Sequence, residues 1–344
     1  MLTQRTDEPA ITVQLSLSPP NGTTRYVDQV VTGAPPQVTF QFFTWRRALR
    51  GALRGGYQVF HVHWPELIVR DDRKLRAFLR RRGLSALMAL LRMRRIAIVR
   101  TIHNLRPHEE GHSAEGRVLD ALDRRTDLFI RLNPTTPAPN GTDTVTILHG
   151  HYRDRFAGWP LPESVPGRIL HFGLIRRYKG VETLLSVFRS LDRPDLQLRI
   201  VGRPSGGLRA VIEREQKLDS RITSKLRFVE DEVLVEEIGQ AELVVLPYRE
   251  MHNSGAILVA LSLNRPVLVP HTPSNAALAE EVGPGWVHMY EGELTAETLT
   301  DTITAMRSRI TEDLPRLEGR DWTSLGRQSY QAYLRAIASA GARR

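Results

Sequence analysis

Residues 168–201 read RILHFGLIRRYKGVETLLSVFRSLDRPDLQLRIV. Two short apolar runs, Arg168–Phe172 and Gln197–Val201, flank a glycine-containing loop and a segment of helical pattern. A strand, a helix and a second strand in that order are typical of a βαβ unit, in which the two strands are parallel. This stretch therefore predicts a parallel α/β sheet.

The same alternation continues in both directions along the chain. In the first half, strands are predicted at Ile11–Leu17, Gln37–Phe43, Gln58–His63, Ile96–His103, Asp127–Leu132 and Thr144–Leu148. After a Pro/Gly-containing linker at 159–167, the second half adds strands at Leu226–Val229, Leu243–Leu246, Pro266–Val269 and Trp286–Met289. We expect two doubly wound domains, at 1–160 and 161–320, with a C-terminal helix in 321–344 that crosses back toward the first domain.

Composition narrows the class of protein. The chain has 344 residues, of which 41% are hydrophobic, and it contains no cysteine. Disordered tails and small disulfide scaffolds are excluded, as are thiolate metal sites and cysteine nucleophiles. Neither a signal peptide nor a membrane-spanning run is recognisable, so the sequence predicts a soluble or peripheral protein of the cytoplasm.

Positive charge is concentrated in one segment. Residues 45–100 contain fifteen Lys or Arg and three Asp or Glu, while the whole chain has a net charge of only +10. Such asymmetry predicts an anionic partner for the N-terminal half, which could be nucleic acid, an acidic lipid surface or a charged substrate. Residues 73–95 interleave arginines with leucines and Phe78, a pattern that fits either an interfacial helix pair or a core-facing helix with a solvated basic face.

Two loops of the second domain are suited to phosphate. In residues 247–261 a helix follows the Leu243–Leu246 strand; Asn253 or Ser254 can cap it, and Gly255 lets backbone N–H groups approach a ligand. A helix N-terminus attracts phosphate through unpaired donors and a partial positive charge, although an ordinary capped helix is the alternative interpretation.

The second loop follows the Arg168–Phe172 strand. It places Arg176, Arg177 and Lys179 between two glycines, at the start of the next helix. Arginine binds phosphate bidentately and lysine supplies a compact charge. Two such loops in one domain predict a nucleoside diphosphate ligand.

Several short motifs together resemble a known family. The relevant segments are HVHWPE at 61–66, TIHNL at 101–105, LHGHYRD at 148–154, FG at 172–173, KGVE at 179–182, IVG at 200–202, VVLP at 244–247 and HNSG at 252–255. In this order they resemble GT-B glycosyltransferases, and more closely the β-mannosyltransferases of xanthan-type exopolysaccharide assembly. The resemblance implies two Rossmann-like domains that face each other across a cleft.

The resemblance also implies an activity. Mannose would be transferred from GDP-mannose, with inversion, in β-1,4 linkage to the glucuronic acid of a polyprenyl-diphosphate-linked oligosaccharide. The enzyme would be peripheral on the inner face of the cell membrane, where its basic segment meets acidic lipid, and would need neither a metal nor another cofactor.

Retaining relatives carry two glutamates, eight positions apart, in the segment that corresponds to residues 247–261. Here Met251 and Val259 occupy those places, and Glu250 is one residue away from the first. We expect Glu250 to replace the first glutamate in contacting the sugar hydroxyls, whereas no polar residue replaces the second glutamate. The broken pair agrees with an inverting subfamily and also permits a non-catalytic binding subunit.

An inverting transfer needs a base to deprotonate the acceptor hydroxyl. We favour Glu66, directly after the Gln58–His63 strand, while His103 corresponds to the cleft histidine of related transferases and either contacts the donor sugar or acts as the base. His63 and the Asn21-Gly22 loop are predicted to contact the acceptor.

The remaining site assignments concern the donor and a metal. Arg176, Lys179 and the start of the helix at Asn253, Ser254 and Gly255 are expected to stabilise the leaving diphosphate, and backbone near Val229 and Glu230 to contact the nucleobase. A zinc site formed by the histidines is not expected, because no carboxylate-bearing metal motif accompanies them.

Competing functions remain open at this stage. A nucleic-acid-binding protein fits the basic segment, but it lacks a recognisable module and leaves both phosphate loops unexplained. Within the GT-B fold, a transferase with a UDP-sugar donor and a non-catalytic subunit that binds nucleotide or glycolipid are the alternatives.

Overall fold

The computed structural model describes residues 8–20, 25–103, 113–139, 141–249, 251, 253–308 and 314–342. The chain forms two compact units, the first made of Met1–Gly150 with Gly319–Arg344 and the second of His151–Glu318.

The first unit is built on a parallel sheet. Within the described residues its strands are β1 (Ile11–Leu15), β2 (Val38–Gln41), β3 (Val59–Val62), β4 (Ala97–Ile102), β5 (Leu128–Arg131) and β6 (Thr144–Thr146). They lie in the order β2-β1-β3-β4-β5-β6. The helices of this unit are α1 (Arg25–Thr32), α2 (Trp45–Arg54), α3 (Glu66–Val69), α4 (Lys74–Met93), α5 (Ser113–Asp123) and α13 (Trp322–Ala342).

The two faces of this sheet have different coverings. Phe60 and Val62 of β3 pack with Leu84 and Leu87 of α4 in an apolar core. Successive strand residues point to opposite faces, so His61 and His63 lie on the other face. That face is covered by α13, which contacts β3, β4 and β5 and packs against α1.

The second unit repeats the plan. Its described strands are β7 (Arg168–Phe172), β8 (Gln197–Val201), β9 (Ile222–Lys225), β10 (Leu243–Val245), β11 (Val267–Pro270) and β12 (Val287–Tyr290), in the order β12-β11-β10-β7-β8-β9. The helices are α6 (Arg153–Phe156), α7 (Val181–Arg189), α8 (Leu208–Leu218), α9 (Asp231–Gly239), α10 (Gly255–Ser262), α11 (Pro273–Val282) and α12 (Ala296–Ser308). All paired strands are parallel.

The predicted strand Leu226–Val229 is wrong. The strand that pairs with β8 is β9, with Leu198 opposite Ile222 and Val201 opposite Lys225. This strand is at the edge of the sheet and only its first residue is buried, so polar residues are tolerated and no apolar run marks it. Residues 226–229 belong to the loop that leads to α9.

Two other expectations need adjustment. Residues 73–95 contain one continuous helix, α4, instead of a helix pair. The chain divides after Gly150, earlier than the predicted boundary at 160, because α6 packs in the second unit: the Tyr152 amide donates to Ser262 Oγ at 2.8 Å and Arg155 pairs with Asp231. The C-terminal helix α13 belongs to the first unit.

Candidate active site

Strand order places the two predicted phosphate loops side by side. β7 and β10 are neighbours, with Ile169 opposite Leu243, and the order of the strands reverses between them. Ligands of doubly wound sheets bind at the carboxyl ends of strands at such a switch point. The loops at 173–180 and 246–254 leave these two strand ends.

Close packing of the loops requires glycine. Gly180 has φ 69°, and a Cβ there would overlap the carbonyl oxygen of Pro247. The amide of Arg249 donates to the Tyr178 carbonyl oxygen at 2.8 Å. The two loops are therefore joined by direct contact and hydrogen bonding.

Lys179 lies at the centre of this arrangement. Its Nζ donates to the Tyr248 hydroxyl at 3.0 Å and lies 4.6 Å from the Tyr248 ring centroid. Burial lowers the pKa of Lys179, but its interactions with Tyr248 and Tyr178 together outweigh this effect, so the net shift is upward. Lys179 thus remains a cation at neutral pH, next to the open surface of Gly173, where an added Cβ would lie 3.7 Å from Nζ. Arg176, in the same loop, is exposed.

The start of α10 also suits an anion. Ser254 occupies the cap position before Gly255, but its side chain makes no capping hydrogen bond to the helix. The Ile257 amide donates to the Ser254 carbonyl oxygen at 3.2 Å, which leaves the earlier amides of the first turn as the groups suited to an anion. Asn253 is half-buried beside this turn.

The positions of the missing glutamates are apolar in structure as well as in sequence. Met251 is buried and its sulfur accepts a hydrogen bond from Asn275 Nδ2 at 3.3 Å, while Val259 is buried within α10. Neither position presents a group that could contact a sugar hydroxyl. Glu250 lies outside the described residues.

The predicted nucleobase contacts lie at the end of a neighbouring strand. Val229 is half-buried in the loop after β9, and Glu230 is exposed at the cap position of α9. The loop begins four residues earlier than predicted, because β9 ends at Lys225.

Histidines meet on the α13 face of the first sheet. His63 Nδ1 and His103 Nε2 share a hydrogen bond of 2.9 Å. His61 bonds to Thr101 Oγ1 through Nε2 and to the Tyr333 hydroxyl through Nδ1, each at 2.8 Å. These bonds link the strand ends of β3 and β4 to the C-terminal helix.

Aromatic rings surround His103. Trp64 stacks on it, with ring centroids 3.9 Å apart, and Tyr26 meets it edge-on at 5.0 Å. Trp64 has φ 43°, which is a strained backbone conformation for a bulky residue. Such strain persists only where the surroundings enforce it and is common at functional sites.

Burial keeps these histidines neutral. It lowers the pKa of His63 to about 3 and that of His149 to about 4, and it lowers those of His61 and His103 well below the ordinary value. The ring nitrogens therefore act at neutral pH as hydrogen-bonding groups without charge.

Glu66 has a different environment. It is half-buried at the start of α3, a helix that packs against α4 and α5. Burial lowers the pKa of Arg100, and the nearby Glu66 carboxylate opposes this shift. Arg100 is opposite Val62 in the sheet and forms an ion pair with Asp123. Arg100 also contributes to the lowered pKa of His103, so Glu66 and His103 both lie within electrostatic range of Arg100.

The predicted acceptor loop at Asn21 and Gly22 lies outside the described residues.

The described part of the chain contains no group of three or more His, Asp or Glu side chains arranged to hold a metal ion.

Sequence reasoning missed three participants, Tyr248, Trp64 and Tyr333. Tyr248 and Trp64 contact the predicted site residues Lys179 and His103, and Tyr333 bonds to His61, the neighbour of His63 on the same face. Trp64 was inside the HVHWPE motif and Tyr248 inside the segment 247–261, but Tyr333 is 272 positions from its partner His61 and carried no local signal.

Comparison with known proteins identifies the family. Residues 166–307 match the family described as Glycosyl transferases group 1. Two curated proteins of Xanthomonas campestris pv. campestris, each named GDP-mannose:glycolipid 4-beta-D-mannosyltransferase, are 45% and 44% identical over 343 residues, which is 99% of this chain and 97% of theirs.

Solved structures agree in fold. Anabaena HepE in complex with UDP superposes with a TM-score of 0.66 at 12% identity, covering 96% of this chain and 97% of that one. The catalytic domain of starch synthase IV from Arabidopsis thaliana, bound to ADP and acarbose, gives 0.65 at 11% identity, covering 96% and 100%. These likenesses confirm the predicted GT-B fold. The chain is a glycosyltransferase of group 1 and belongs to the family of the two Xanthomonas mannosyltransferases.

Proposed function

We propose that this enzyme transfers mannose from GDP-mannose, with inversion, to the glucuronic acid of a polyprenyl-diphosphate-linked oligosaccharide in β-1,4 linkage, as in xanthan-type repeat-unit assembly. The observation that carries the donor and the glycolipid acceptor is 45% identity, over 99% of the chain, to a relative named GDP-mannose:glycolipid 4-beta-D-mannosyltransferase. The paired phosphate loops of the second unit support a nucleoside diphosphate donor.

The donor's leaving group is stabilised by fixed positive charge. The acceptor oxygen forms a bond to mannose C1 as the bond from C1 to the diphosphate oxygen breaks, and the electron pair leaves with GDP. Lys179, Arg176 and the N-terminus of α10 offset the developing negative charge. Because these groups supply cationic stabilisation, the reaction proceeds without a metal ion.

Glu66 is the base in this mechanism. A histidine whose pKa lies well below its ordinary value accepts a proton poorly, which argues against His103. His103 instead supplies a neutral hydrogen-bonding group for a sugar hydroxyl, oriented by His63 and the Trp64 ring. Glu66 takes the proton of the attacking hydroxyl.

Replacing the carboxylate tests this assignment. Glu66→Gln keeps the size of the side chain, so GDP affinity should persist while turnover falls by about 100-fold or more. His103→Gln is the comparison variant and should weaken sugar binding with a smaller effect on turnover. Near-normal turnover of Glu66→Gln would contradict the role of Glu66.

Donor selectivity tests the whole proposal. Calorimetric titration with GDP, UDP and ADP in EDTA should show selective GDP binding, and mass spectrometry should detect one added hexose on the lipid-linked acceptor from GDP-mannose. A preference for UDP would mean that the donor is a UDP-sugar. If none of the nucleotides bound, with or without acceptor, the enzyme would be a non-catalytic member of the family.

The acceptor places the enzyme at a membrane surface. No helix in the described ranges is long and apolar enough to cross a membrane. Instead, Leu75, Phe78 and Leu79 of α4 are 48–71% exposed, and Leu67 of α3 is 59% exposed. Arg76 and Arg82 of α4 are exposed as well. This α3–α4 surface combines apolar and cationic groups, as interfacial helices do, and docks on acidic lipid at the inner face of the cell membrane.

A further inference from the structure

A cavity of about 400 Å³ lies at the amino ends of β4 and β5 in the first unit. Its apolar wall includes the buried residues Met88, Ile96 and Ile98. Met93, which is 72% exposed, stands at its opening. The histidines of the candidate site follow the carboxyl ends of the strands, so this cavity is a separate place in the unit.

Four arginines line the cavity: Arg92 and Arg95 from the end of α4, and Arg124 and Arg125 after α5. Within the described ranges none of these guanidinium groups forms an ion pair. Asp127 also lines the cavity, but its Oδ2 accepts the amide of Ile98 at 2.7 Å.

Local negative charge does not balance these arginines. The C-terminal ends of α4, α5 and α13 are close to the cavity, and each helix end supplies roughly half a negative charge. With the Asp127 carboxylate, about two and a half negative charges oppose four positive ones. An excess of positive charge is left around a concave, partly apolar space.

Several arginines of the second unit are paired with carboxylates. Arg168 and Arg199 share Glu237, and Arg189 and Arg214 share Glu215. Four arginines of the second unit therefore share two carboxylates, whereas the four around the cavity form no ion pair within the described ranges. Guanidinium groups that lack carboxylate partners are suited to bind phosphate.

We propose that this cavity binds the phosphate of an anionic membrane lipid, with the four arginines around the phosphate and the Met88–Met93 wall against the start of the acyl chain. Phosphate recognition follows from the cavity itself, and the choice of a lipid as its source rests on the proposed membrane association. The exposed Met93 side chain gives the acyl chain an apolar contact at the opening.

Calorimetry with a soluble short-chain lipid tests the site. Dihexanoyl phosphatidylglycerol, kept below its micellar concentration, should bind the full chain saturably. The double variant Arg124→Gln/Arg125→Gln should weaken this binding by about 10-fold or more. Arg117→Gln, an exposed arginine of α5 outside the cavity, is the matched control and should bind as the unchanged protein does.

The comparison ligands separate the sources of phosphate. Glycerol phosphate should bind more weakly than the lipid, and Met93→Ser should reduce lipid binding only. If glycerol phosphate bound as tightly as the lipid, the lipid assignment would be wrong. If the double variant bound the lipid as tightly as the unchanged protein, the cavity would not be the binding site. GDP titration of the same double variant should be unchanged, so a failure of the donor proposal would be seen separately.

Discussion

Lys179 is the residue through which the donor site is most directly tested. Its ammonium group lies between the two phosphate loops and is held by Tyr248. Lys179→Ala removes a charge-assisted contact, so GDP should bind about 10- to 100-fold more weakly. Titration calorimetry measures the change, and Lys217→Ala, on the exposed face of α8, is the control. Unchanged GDP affinity would remove Lys179 from the site.

The buried histidines predict how stability depends on pH. The pKa of His63 is lowered to about 3 and those of His149 and His171 to about 4, chiefly by burial. In the unfolded chain these groups titrate near pH 6.5. As pH falls below that value, the unfolded state binds protons that the folded state refuses, and stability decreases.

At pH 5.5 each such histidine should cost roughly 1 kcal/mol of unfolding free energy relative to pH 7.5. Urea denaturation at the two pH values measures the difference. His149→Asn should reduce it, while His271→Asn, whose side chain is 44% exposed, should leave it unaltered. Equal urea midpoints at pH 5.5 and pH 7.5 would contradict the conclusion that these histidines are buried in the neutral form.

Among the elements, α13 determines how the histidine face is closed. Gly326 of α13 lies against the chain after α1, where an added Cβ would overlap the carbonyl oxygen of Gly33. Gly326→Ala should force the helices apart and destabilise the first unit by about 2 kcal/mol. Gly341→Ala, on the same helix with no atom within 4 Å of the added Cβ, is the control for helix propensity.

Thermal unfolding of the two glycine variants distinguishes packing from propensity. A lower midpoint for Gly326→Ala alone supports the close helix crossing. If both variants unfolded like the unchanged protein, the contact between α13 and the α1 end would not limit stability.

α4 changes character along its length. Leu84, Leu87 and Leu91 are buried in the core, whereas Leu75 and Leu79 in the first turns are exposed. The core-facing interpretation of the sequence is therefore confirmed for the second half of the helix, while the interfacial one stays a prediction for its exposed first turns. Periodicity marks apolar positions, but only the neighbours of a helix decide which of them are covered.

At the scale of the molecule, charge and exposed apolar groups coincide in the first unit. Phe78→Ser/Leu79→Ser should reduce sedimentation with acidic vesicles by on the order of 10-fold, because apolar contact with lipid is lost. Leu218→Ser, which replaces an equally exposed leucine (60%) of the second unit, is the control.

Charge reversal tests the electrostatic part of the same surface. Arg82→Glu should lower vesicle binding, and more strongly at low salt. Arg80 is a poor target because it forms an ion pair with Asp71 and donates to the Arg70 carbonyl oxygen. If both variants sedimented with acidic vesicles as the unchanged protein does, this surface would be an ordinary solvent-exposed helix face with no role in membrane binding.

The sequence by itself determined the alternation of strands and helices, the glycine-bearing loops and the positions of Lys179 and Ser254. These features are local, since burial along one strand or helix and the conformational needs of a turn leave a pattern in adjacent residues. The same patterning failed at β9, where an edge strand needs no apolar run.

Only the tertiary structure decided which distant residues meet. Strand order places β7 beside β10 and thereby Tyr248 against Lys179, and the return of α13 brings Tyr333 to His61. Sheet order and helix packing are set by the competition of whole surfaces for burial, so no single stretch encodes them. The unpaired arginines around the cavity became visible for the same reason: a missing partner is a property of the neighbourhood in space.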